Sequence, residues 1–497
     1  MKNAVIGIDI GTSGTKVIAV DSSGEILSST LAQYPVYSPH SGWSEQEPAD
    51  WWEGVCKATK ELVSSLGGVN ITCVGLSGQM HGMTALDENG KVVRRAILWN
   101  DQRTQKQCDE ITKEAGGLDG LLGYTNNQML TGYTGGKVLW MRECEPENFA
   151  KTKIILNPKD YIRYLLTDDY CTEVSDASGT GLFDTKKRCF SKELLSKLDL
   201  DIRLFPKCVE STEITGKITE KAAELTGIPA GTPVAGGGGD AVISTTGMGL
   251  IGTNRIGITL GTSGVVAMGM PGFTANPQGS IQAFCNNAPD TWHAMGVTLA
   301  AAGSYVWFRN TFAQEELNIE KNGGKNAYKQ LDEQAKNIEP QAGGLLFTPY
   351  LTGERCPLND PDAKGCFIGI TSQHTKGHFA RAVLEGVAFS LKQVYDLIGQ
   401  KEDGEIVLAG GGAVSPLWRQ IFADVFNLPV TTVYGSAEGG AFGAAIVAGA
   451  AAGMWTYGHA ATLIKEESRT MPISKNTEIY KILFNRYKKI YNASNNI

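Results

Sequence analysis

Apolar runs alternate with longer helical patterns along the chain. Buried strands that end in turns are predicted for four runs: AVIGIDI, ITCVGLSG, RRAILWND and GEIVLAGGGA. After the last run, Leu417, Ile421 and Val425 recur at helical spacing. Ser415 is the predicted N-cap of this helix, and Pro416 is its first residue. The alternation of strands and helices predicts an α/β protein with mixed sheets.

One strand-and-turn pattern occurs twice. Residues 6–14 read IGIDIGTSG and residues 256–264 read IGITLGTSG, so the offset is 256 − 6 = 250 residues, about half the chain. The copies differ in charge, because the first has Asp9 where the second has Thr259. Such a repeat indicates two α/β domains of similar design.

Length and composition agree with two domains. A chain of 497 residues is too long for a single core. We place the boundary near residues 247–254 and predict an N-terminal domain over 1–247 and a C-terminal domain over 248–497. Hydrophobic residues make up 42% and charged residues 20%, which is ordinary for a globular protein. The net charge of −7 argues against nucleic acid or an anionic membrane surface as the main partner.

The cysteines and the N-terminus suggest a cytoplasmic protein. Ten cysteines are scattered without a Cys-x-x-Cys pair or a Cys/His metal spacing, which predicts reduced thiols. The sequence enters the apolar run AVIGIDI almost at once, and we expect no signal peptide. The weakly polar run GGAFGAAIVAGAAAGMW consists mainly of Gly and Ala, so it predicts a tightly packed internal helix and not a membrane span.

Both Gly-Thr-Ser-Gly turns have the composition of a phosphate cradle. Glycine lets the backbone approach a ligand closely, the turn exposes N–H groups, and Thr and Ser add hydroxyls. Asp9, at the end of the first strand, could hold Mg²⁺ beside the phosphates, where a second carboxylate would repel them. The alternative is a pair of plain hairpin turns with a solvated Asp9. The residues assigned to phosphate binding are Gly11, Thr12, Ser13, Lys16, Gly261, Thr262 and Ser263.

Other nucleotide motifs fit less well. The sequence contains no Gly-x-x-x-x-Gly-Lys-Ser/Thr, which excludes a P-loop. It also has no Gly-x-Gly-x-x-Gly opening a helix after the first strand, which argues against a dinucleotide-binding domain.

Further motifs run from Gly7 to about Gly449. They are SGQMHG (77–82), ILWNDQR (97–103), NPKDYIRYLLT (157–167), GGGGD (236–240) and LTGERCPLNDPDAKGCFIG (351–369). KVLWMRE (137–143) matches part of a first family signature, and GITSQHTKGHFARAVLEG (369–386) matches a second. Together with the paired turns, these segments resemble the FGGY carbohydrate kinases of the actin/hexokinase/Hsp70 ATPase superfamily, and within that family the xylulose kinases.

This resemblance implies a fold and an activity. The fold would be two actin-like, ribonuclease-H-like ATPase domains that flank a deep cleft. The activity would be ATP-dependent phosphorylation of D-xylulose to D-xylulose 5-phosphate in pentose catabolism, with Mg²⁺ and in the cytoplasm. The expected partners are the sugar and ATP, with no nucleic acid or membrane, and the family allows a homodimer.

The resemblance also implies roles for particular residues. In the family, the residues that match Met80 and His81 contact the sugar, and we assign Gln79 of the same loop to this group. Alone, a loop histidine is more often a cap or a surface residue, and the motif around His81 reverses that interpretation. A loop after the carboxyl end of a strand is where α/β folds bind ligands. The segment LAGGGAVSPLW resembles the adenosine-binding segment, which adds Gly410, Gly411, Gly412 and Ser415; a tight strand-to-helix turn would need the same glycines.

Asp240, directly after four glycines, is implied as the general base for the sugar hydroxyl. A hydroxyl is a poor nucleophile and needs a carboxylate within about 2.6–3.2 Å. On spacing alone, Asp240 could equally cap a helix that begins at Ala241.

Two departures from the family pattern leave the sugar open. Ala241 stands where xylulose kinases commonly carry a sugar-binding Asn, and TGGK (134–137) stands where Thr-Ala-Pro-Lys is usual. One alternative is therefore an FGGY kinase for another ketose or polyol. A second alternative, from a different class, is a non-catalytic actin-like nucleotide switch, which would need the two turns but neither SGQMHG nor GGGGD.

Overall fold

The structure is a computed structural model that describes residues 2–251, 253–276, 278–399, 403–435 and 438–494. It divides into two compact units. The first unit comprises Met1–Thr253, Gly269–His293 and Glu438–Ile464. The second unit comprises Asn254–Met268, Ala294–Ala437 and Lys465–Ile497.

Strands occur throughout the described residues. They are β1 (Lys2–Ile10), β2 (Gly14–Asp21), β3 (Ile26–Gln33), β4 (Glu45–Gln46), β5 (Val69–Gly78), β6 (Thr84–Leu86), β7 (Ala96–Ile97), β8 (Ile154–Leu156), β9 (Cys171–Glu173), β10 (Phe183–Asp184), β11 (Cys189–Phe190), β12 (Lys207–Val209), β13 (Ile214–Lys217), β14 (Pro233–Ala235), β15 (Gly238–Gly239), β16 (Arg255–Leu260), β17 (Gly264–Met270), β18 (Gln282–Cys285), β19 (Trp292–Thr298), β20 (Leu346–Thr348), β21 (Cys366–Ile368), β22 (Glu405–Ala409), β23 (Val430–Val433) and β24 (Glu466–Thr470).

Helices alternate with these strands. They are α1 (Pro48–Ser65), α2 (Gln105–Glu114), α3 (Leu118–Thr125), α4 (Thr134–Cys144), α5 (Pro146–Lys151), α6 (Pro158–Thr167), α7 (Val174–Ser178), α8 (Lys192–Lys197), α9 (Glu220–Thr226), α10 (Asp240–Gly247), α11 (Ala302–Phe312), α12 (Gln314–Lys321), α13 (Ala327–Lys336), α14 (Lys376–Ile398), α15 (Pro416–Phe426), α16 (Gly439–Ala451), α17 (Tyr457–Leu463), α18 (Ser474–Tyr487) and α19 (Ile490–Ser494). Short 3₁₀ helices cover Ile202–Leu204, Ala342–Gly344 and Gly411–Val414.

The sheet of the first unit has the order β13-β14-β5-β1-β2-β3, and β15 also pairs with β5. β1 and β2 form an antiparallel hairpin, while β5 runs parallel to β1. Alternate residues of β1 (Ile6, Ile8 and Ile10) are fully buried in the core with Trp51. The predicted apolar runs AVIGIDI and ITCVGLSG therefore form neighbouring strands, β1 and β5.

Close packing of α16 explains its small residues. A Cβ atom at Gly7 of β1 would lie 2.0 Å from the carbonyl oxygen of Ala441, and one at Gly75 of β5 would lie 2.0 Å from that of Ala444. The helix therefore rests directly on the backbones of β1 and β5, and the predicted packed internal helix is confirmed. No helix among the described residues is long and apolar enough to cross a bilayer.

The second unit repeats this arrangement. Its strands follow the path β17-β16-β22-β23-β24, in which β16 and β17 form an antiparallel hairpin and β22 runs parallel to β16. Ser415 caps α15, because its side chain accepts a hydrogen bond from the N–H of Trp418, and Pro416 is the first residue of the helix, as predicted. The predicted α/β class with mixed sheets is confirmed.

One predicted strand is largely wrong. RRAILWND contributes only β7, two residues long. The chain turns directly after it because Asp101 accepts a hydrogen bond from the N–H of Ser44 at 2.7 Å and forms a salt bridge with Arg103 at 2.7 Å. These polar contacts stop the strand and fix the following loop.

Candidate active site

Two carboxylates meet at the carboxyl edge of the first sheet. Asp9 is the penultimate residue of β1, and its Oδ1 accepts a hydrogen bond from the hydroxyl of Ser77 at 2.6 Å. Asp240 is the first residue of α10. The glycine strand β15 pairs with the end of β5, which brings Asp240 to the same edge. Asp240 Oδ1 accepts from the N–H of Ala241 at 2.7 Å and of Met80 at 3.3 Å.

Burial raises the pKa of both carboxylates. Removal from water, with the charge of Asp9 as the next contribution, raises the pKa of Asp240 to about 7 against the effect of its two N–H donors. Burial also raises the pKa of Asp9, opposed by the Ser77 hydroxyl and by the charge of Lys16. Asp240 therefore changes charge near neutral pH, as a general base for a hydroxyl substrate requires.

The helix-cap alternative for Asp240 is wrong. Gly239 is the N-cap of α10, Asp240 already lies inside the helix, and no side chain caps it. A carboxylate in the first turn is still stabilised by the helix dipole. It also holds the Met80 backbone, which a cap would not do.

Met80 and His81 lie beside Asp240 in the first unit. A Cβ atom at Gly239 would be 2.5 Å from Cγ of Met80, so this side chain covers the end of β15, directly before Asp240. His81 has the left-handed φ of 67°. Its Nδ1 lies 2.6 Å from the carbonyl oxygen of Gly179, which accepts and therefore places the ring proton on Nδ1. The structure thus brings the predicted sugar residues and the predicted base together.

Gln79 faces the phosphate turn. Its side chain is fully buried, and its amide donates to Oε1 of Gln46 at 2.7 Å while accepting from the hydroxyl of Thr12 at 3.1 Å. Both ends of the amide are engaged, so Gln79 supports the turn. Its contact with a substrate stays a prediction.

The first turn is held by its carbonyl groups. Tyr34 Oη donates to the carbonyl of Gly11 and Gln46 Nε2 to that of Thr12, each at 2.7 Å. Within the described part of the chain, the N–H groups of Thr12 and Ser13 donate to no protein acceptor. Such backbone donors suit an anion. Lys16, opposite Asp9 in the hairpin, forms an ion pair with Glu438.

The second turn and the glycine segment adjoin within the second unit. The carbonyl of Thr262 accepts from the N–H groups of Ala301 at 2.9 Å and Gly303 at 3.1 Å. A Cβ atom at Gly410, which has φ 87°, would lie 2.6 Å from the carbonyl of Leu260, the residue before the turn. Gly261 and Ser263 close the turn through an N–H to carbonyl hydrogen bond of 3.0 Å.

Only one of the three predicted adenosine-binding glycines has an open face. A Cβ at Gly412 would lie 2.8 Å from the ring of Trp418, whereas one at Gly411 would meet nothing within 4 Å. Packing therefore explains Gly410 and Gly412. The hydroxyl of Ser415 donates to Asp332 at 2.6 Å and accepts from the N–H of Trp418 at 3.1 Å, so it is engaged within the protein.

Sequence analysis missed residues that shape the site from behind. Ser77 holds Asp9, Gln46 holds the first turn, and the start of α16 lies against Asp9. A Cβ at Gly440 would be 2.6 Å from the Asp9 carboxyl carbon, so the helix N-terminus supplies a favourable dipole to this carboxylate. The Glu-Gly-Gly that opens α16 is a signal for such an approach. Ser77 opens the SGQMHG motif, but the motif did not assign it to Asp9, and Gln46 carries no local pattern.

Comparison with known proteins identifies the family. The N-terminal domain model of the FGGY family of carbohydrate kinases matches residues 4–247, and the C-terminal domain model matches 256–452. The xylulose kinase of Bacillus subtilis strain 168 is 37% identical over 98% of this chain and 96% of its own length. The gluconokinase of the same organism is 30% identical over 97% of this chain and 94% of its own length.

Solved structures agree. The crystal structure of a xyloylose kinase from Brucella ovis superposes with a TM-score of 0.90 at 32% identity and covers 99% of both chains. The predicted two-domain fold of this family is confirmed. The chain therefore belongs to the FGGY family of carbohydrate kinases and is a sugar kinase, an enzyme that transfers a phosphoryl group.

Proposed function

We propose that the chain transfers the γ-phosphoryl group of ATP to D-xylulose and forms D-xylulose 5-phosphate for pentose catabolism. The observation that carries the chemistry is the position of Asp240, whose carboxylate adjoins both Asp9 and the Met80–His81 loop. The choice of xylulose rests on relatives with that name that align with almost the whole chain.

Asp240 acts as the general base. Its carboxylate takes the proton of the primary hydroxyl, the hydroxyl oxygen forms a bond to the γ-phosphorus, and the bond from that phosphorus to the bridging oxygen of ADP breaks. Met80 and His81 hold the sugar so that this hydroxyl faces Asp240. Positioning and electrostatic stabilisation then supply most of the rate enhancement.

ATP is the phosphoryl donor of a kinase, and each unit has its own groups for this ligand. In the first unit, the N–H groups of Thr12 and Ser13 and the ammonium of Lys16 bind phosphate oxygens. In the second unit, Thr262 and Ser263 are the phosphate-binding residues, and the open face at Gly411 receives the nucleoside. Lys16 exchanges its ion pair with Glu438 for the phosphates.

Mg²⁺ fits Asp9. This half-buried carboxylate has one oxygen bound to Ser77 and lies where the phosphates are proposed to bind. Among the described residues, no group of three or more His, Cys, Asp or Glu could hold a metal ion by itself. Asp9 would therefore hold Mg²⁺ together with phosphate oxygens and water. In kinases Mg²⁺ is usually bound in this way, by one or two carboxylates, substrate phosphates and water. The ion would neutralise part of the charge that develops on the transferred group.

A kinase for another ketose, polyol or sugar acid is the second candidate. Ala241 offers no side-chain hydrogen bond beside Asp240, and the similarity to a gluconokinase extends over almost the same length. The non-catalytic switch is set aside, because the chain belongs to a kinase family and places Asp240 beside the Met80–His81 loop.

The test is a coupled assay of ADP release with D-xylulose, D-ribulose, D-fructose, glycerol and gluconate. We expect the highest kcat/KM with D-xylulose, and a clearly higher value with another substrate would contradict that choice. Absence of sugar-dependent ADP release across the panel would contradict the assignment of the site itself. A cytoplasmic location and a homodimer stay predictions.

A further inference from the structure

Lys137 is a lysine buried at the start of α4. Its side chain has no exposed surface, and its Nζ donates to the carbonyl oxygens of His81 and Gly132, both at 2.6 Å. Asp101, the acid that favours its charged form, is itself paired with Arg103. Burial lowers the pKa of Lys137 to about 7. A buried amine is costly, and here its hydrogen bonds go to two backbone carbonyls.

The two carbonyls belong to segments that carry a ring pair. His81 follows Met80 in the loop after β5, and Gly132 directly precedes Tyr133. The rings of His81 and Tyr133 lie 4.6 Å apart. Thr134 lies one turn before Lys137 on the same face of α4, and its hydroxyl donates to the carbonyl of His81 at 3.1 Å. Lys137 therefore links the backbone of the His81 loop to the backbone of the segment that carries Tyr133.

The backbone of His81 needs such support. Its φ of 67° lies in the left-handed region, which a non-glycine residue keeps only when its surroundings enforce it. The hydrogen bond from Nδ1 to Gly179 fixes the imidazole, while Lys137 and Thr134 fix the carbonyl of the same residue. The conformation of His81 is thus held at both ends.

We infer that Lys137 is a positioning residue for the sugar site, which holds the His81 loop and the Tyr133 segment in the geometry that receives the substrate. This inference rests on the proposed contact between His81 and the sugar. Lys137 lies behind the loop and acts through His81.

The experiment compares five forms of the full-length enzyme with the wild type: Lys137→Met, Thr134→Val, His81→Ala, the double variant with Lys137→Met and His81→Ala, and Cys108→Ala. The last is the control, because Cys108 lies against α4 at Gly136 and its thiol shares a hydrogen bond with Thr104. KM for D-xylulose, KM for ATP and kcat are measured for each. Six histidines also make ¹⁵N-histidine NMR practical, so the His81 imidazole resonance is followed in the same samples.

We expect Lys137→Met to raise KM for D-xylulose about 10- to 100-fold, the effect of losing a charged donor, and to change KM for ATP less than about twofold. Thr134→Val removes a neutral donor and should raise KM for the sugar about 2- to 10-fold. In the His81→Ala background, Lys137→Met should add less than about twofold. The His81 resonance should move in Lys137→Met and stay in place in Cys108→Ala.

Full additivity of the two substitutions, an equal rise in both KM values, or an unmoved His81 resonance in Lys137→Met would overturn the inference. If Lys137→Met does not fold, Thr134→Val decides. A shifted His81 resonance with a raised KM for the sugar supports the positioning role, and wild-type behaviour refutes it. If His81→Ala leaves KM for D-xylulose unchanged, the proposed sugar contact fails; the NMR comparison still decides whether Lys137 positions the loop.

Discussion

The two Gly-Thr-Ser-Gly turns share a sequence but not a geometry. In the first hairpin, Ile10 pairs with Thr15 and the N–H of Gly11 bonds to the carbonyl of Gly14. In the second, Leu260 pairs with Gly264, and the turn closes one residue earlier, at the carbonyl of Ser263. Identical residues therefore form a four-residue and a three-residue connection.

Different groups brace the two turns. Side chains hold the first: the hydroxyl of Tyr34 and the amide of Gln46 donate to its carbonyls. Backbone N–H groups hold the second: Ala301, Ala302 and Gly303, at the start of α11, donate to the carbonyls of the turn. A single side-chain substitution can remove a brace of the first turn. The braces of the second turn are backbone N–H groups, so its position depends on the position of α11.

Charge is the third difference. Asp9 and Lys16 face each other across the first hairpin, while Thr259 faces Val265 across the second. The parallel strand beside each hairpin also ends in a loop: β5 leads to the Met80–His81 loop and β22 to the Gly410–Gly412 segment. The hairpin of the first unit therefore carries a carboxylate and an ammonium, whereas the hairpin of the second unit has uncharged residues at the matching positions.

The largest effect should come from Asp240→Asn. Asparagine keeps the size of the side chain and can still accept from the N–H groups of Ala241 and Met80, but it cannot take a proton. We expect kcat to fall by about 10²–10⁴-fold, the usual contribution of a general base. Nucleotide affinity, measured by calorimetry, should change little because both turns remain intact. A variant that keeps more than about a tenth of the activity would remove Asp240 from the catalytic role.

The asymmetry of charge is tested by Asp9→Asn beside Thr259→Val. Asp9→Asn removes a charge from the proposed Mg²⁺ site while keeping the acceptor for Ser77, so kcat should fall by roughly 10- to 100-fold and the Mg²⁺ requirement should rise. Thr259→Val, at the matching position of β16, should cost less than about threefold. The measurement is the initial rate as a function of Mg²⁺ concentration. Equal losses in both variants would show that the charge difference has no functional meaning.

The coupling between the two carboxylates is open to a pH measurement. Burial and the charge of Asp9 raise the pKa of Asp240 to about 7, and only its ionised form accepts a proton. The rate should therefore fall about tenfold per pH unit below neutrality. In Asp9→Asn the neighbouring charge is gone, so the acidic limb should move to lower pH, while Thr259→Val should leave it in place. If the acidic limb lies at the same pH in Asp9→Asn as in the wild type, the charge of Asp9 does not affect the pKa of Asp240.

Much of the frame follows from local sequence. The Val- and Ile-rich runs of β1, β5 and β22 and the Ser-Pro start of α15 have local physical causes, and their prediction is confirmed. The repeat also predicted that two hairpins share one design. It could not predict their different registers, since register depends on what packs behind each turn: Ala32 approaches Gly14, and Thr298 approaches Gly264.

Long-range contacts account for what the sequence did not reveal. Ser77 is 68 residues from Asp9, and Lys137 is 56 residues from His81. Neither distance leaves a trace in local periodicity. The return of α16 to β1 and β5 was likewise not predicted, although the small residues of that helix indicated close packing. The family resemblance gave roles to Met80, His81 and Asp240. Its motifs also include Ser77 and Lys137, but they gave neither residue a role.

The smallest effect should distinguish how the turns are braced. Tyr34→Phe removes only the hydroxyl that donates to the carbonyl of Gly11. A neutral hydrogen bond contributes about 0.5–1.5 kcal/mol, so KM for ATP should rise about 2- to 10-fold while kcat and the sugar KM change little. The second turn has no such side chain, and Gly303→Ala is its counterpart, because the added Cβ would lie 2.7 Å from the carbonyl of Thr262 and must displace the turn. If both variants raise KM for ATP without lowering kcat, both turns bind the nucleotide as proposed. If Tyr34→Phe has no effect and Gly303→Ala does, the side-chain bracing of the first turn is dispensable, and the contrast between the turns reduces to charge.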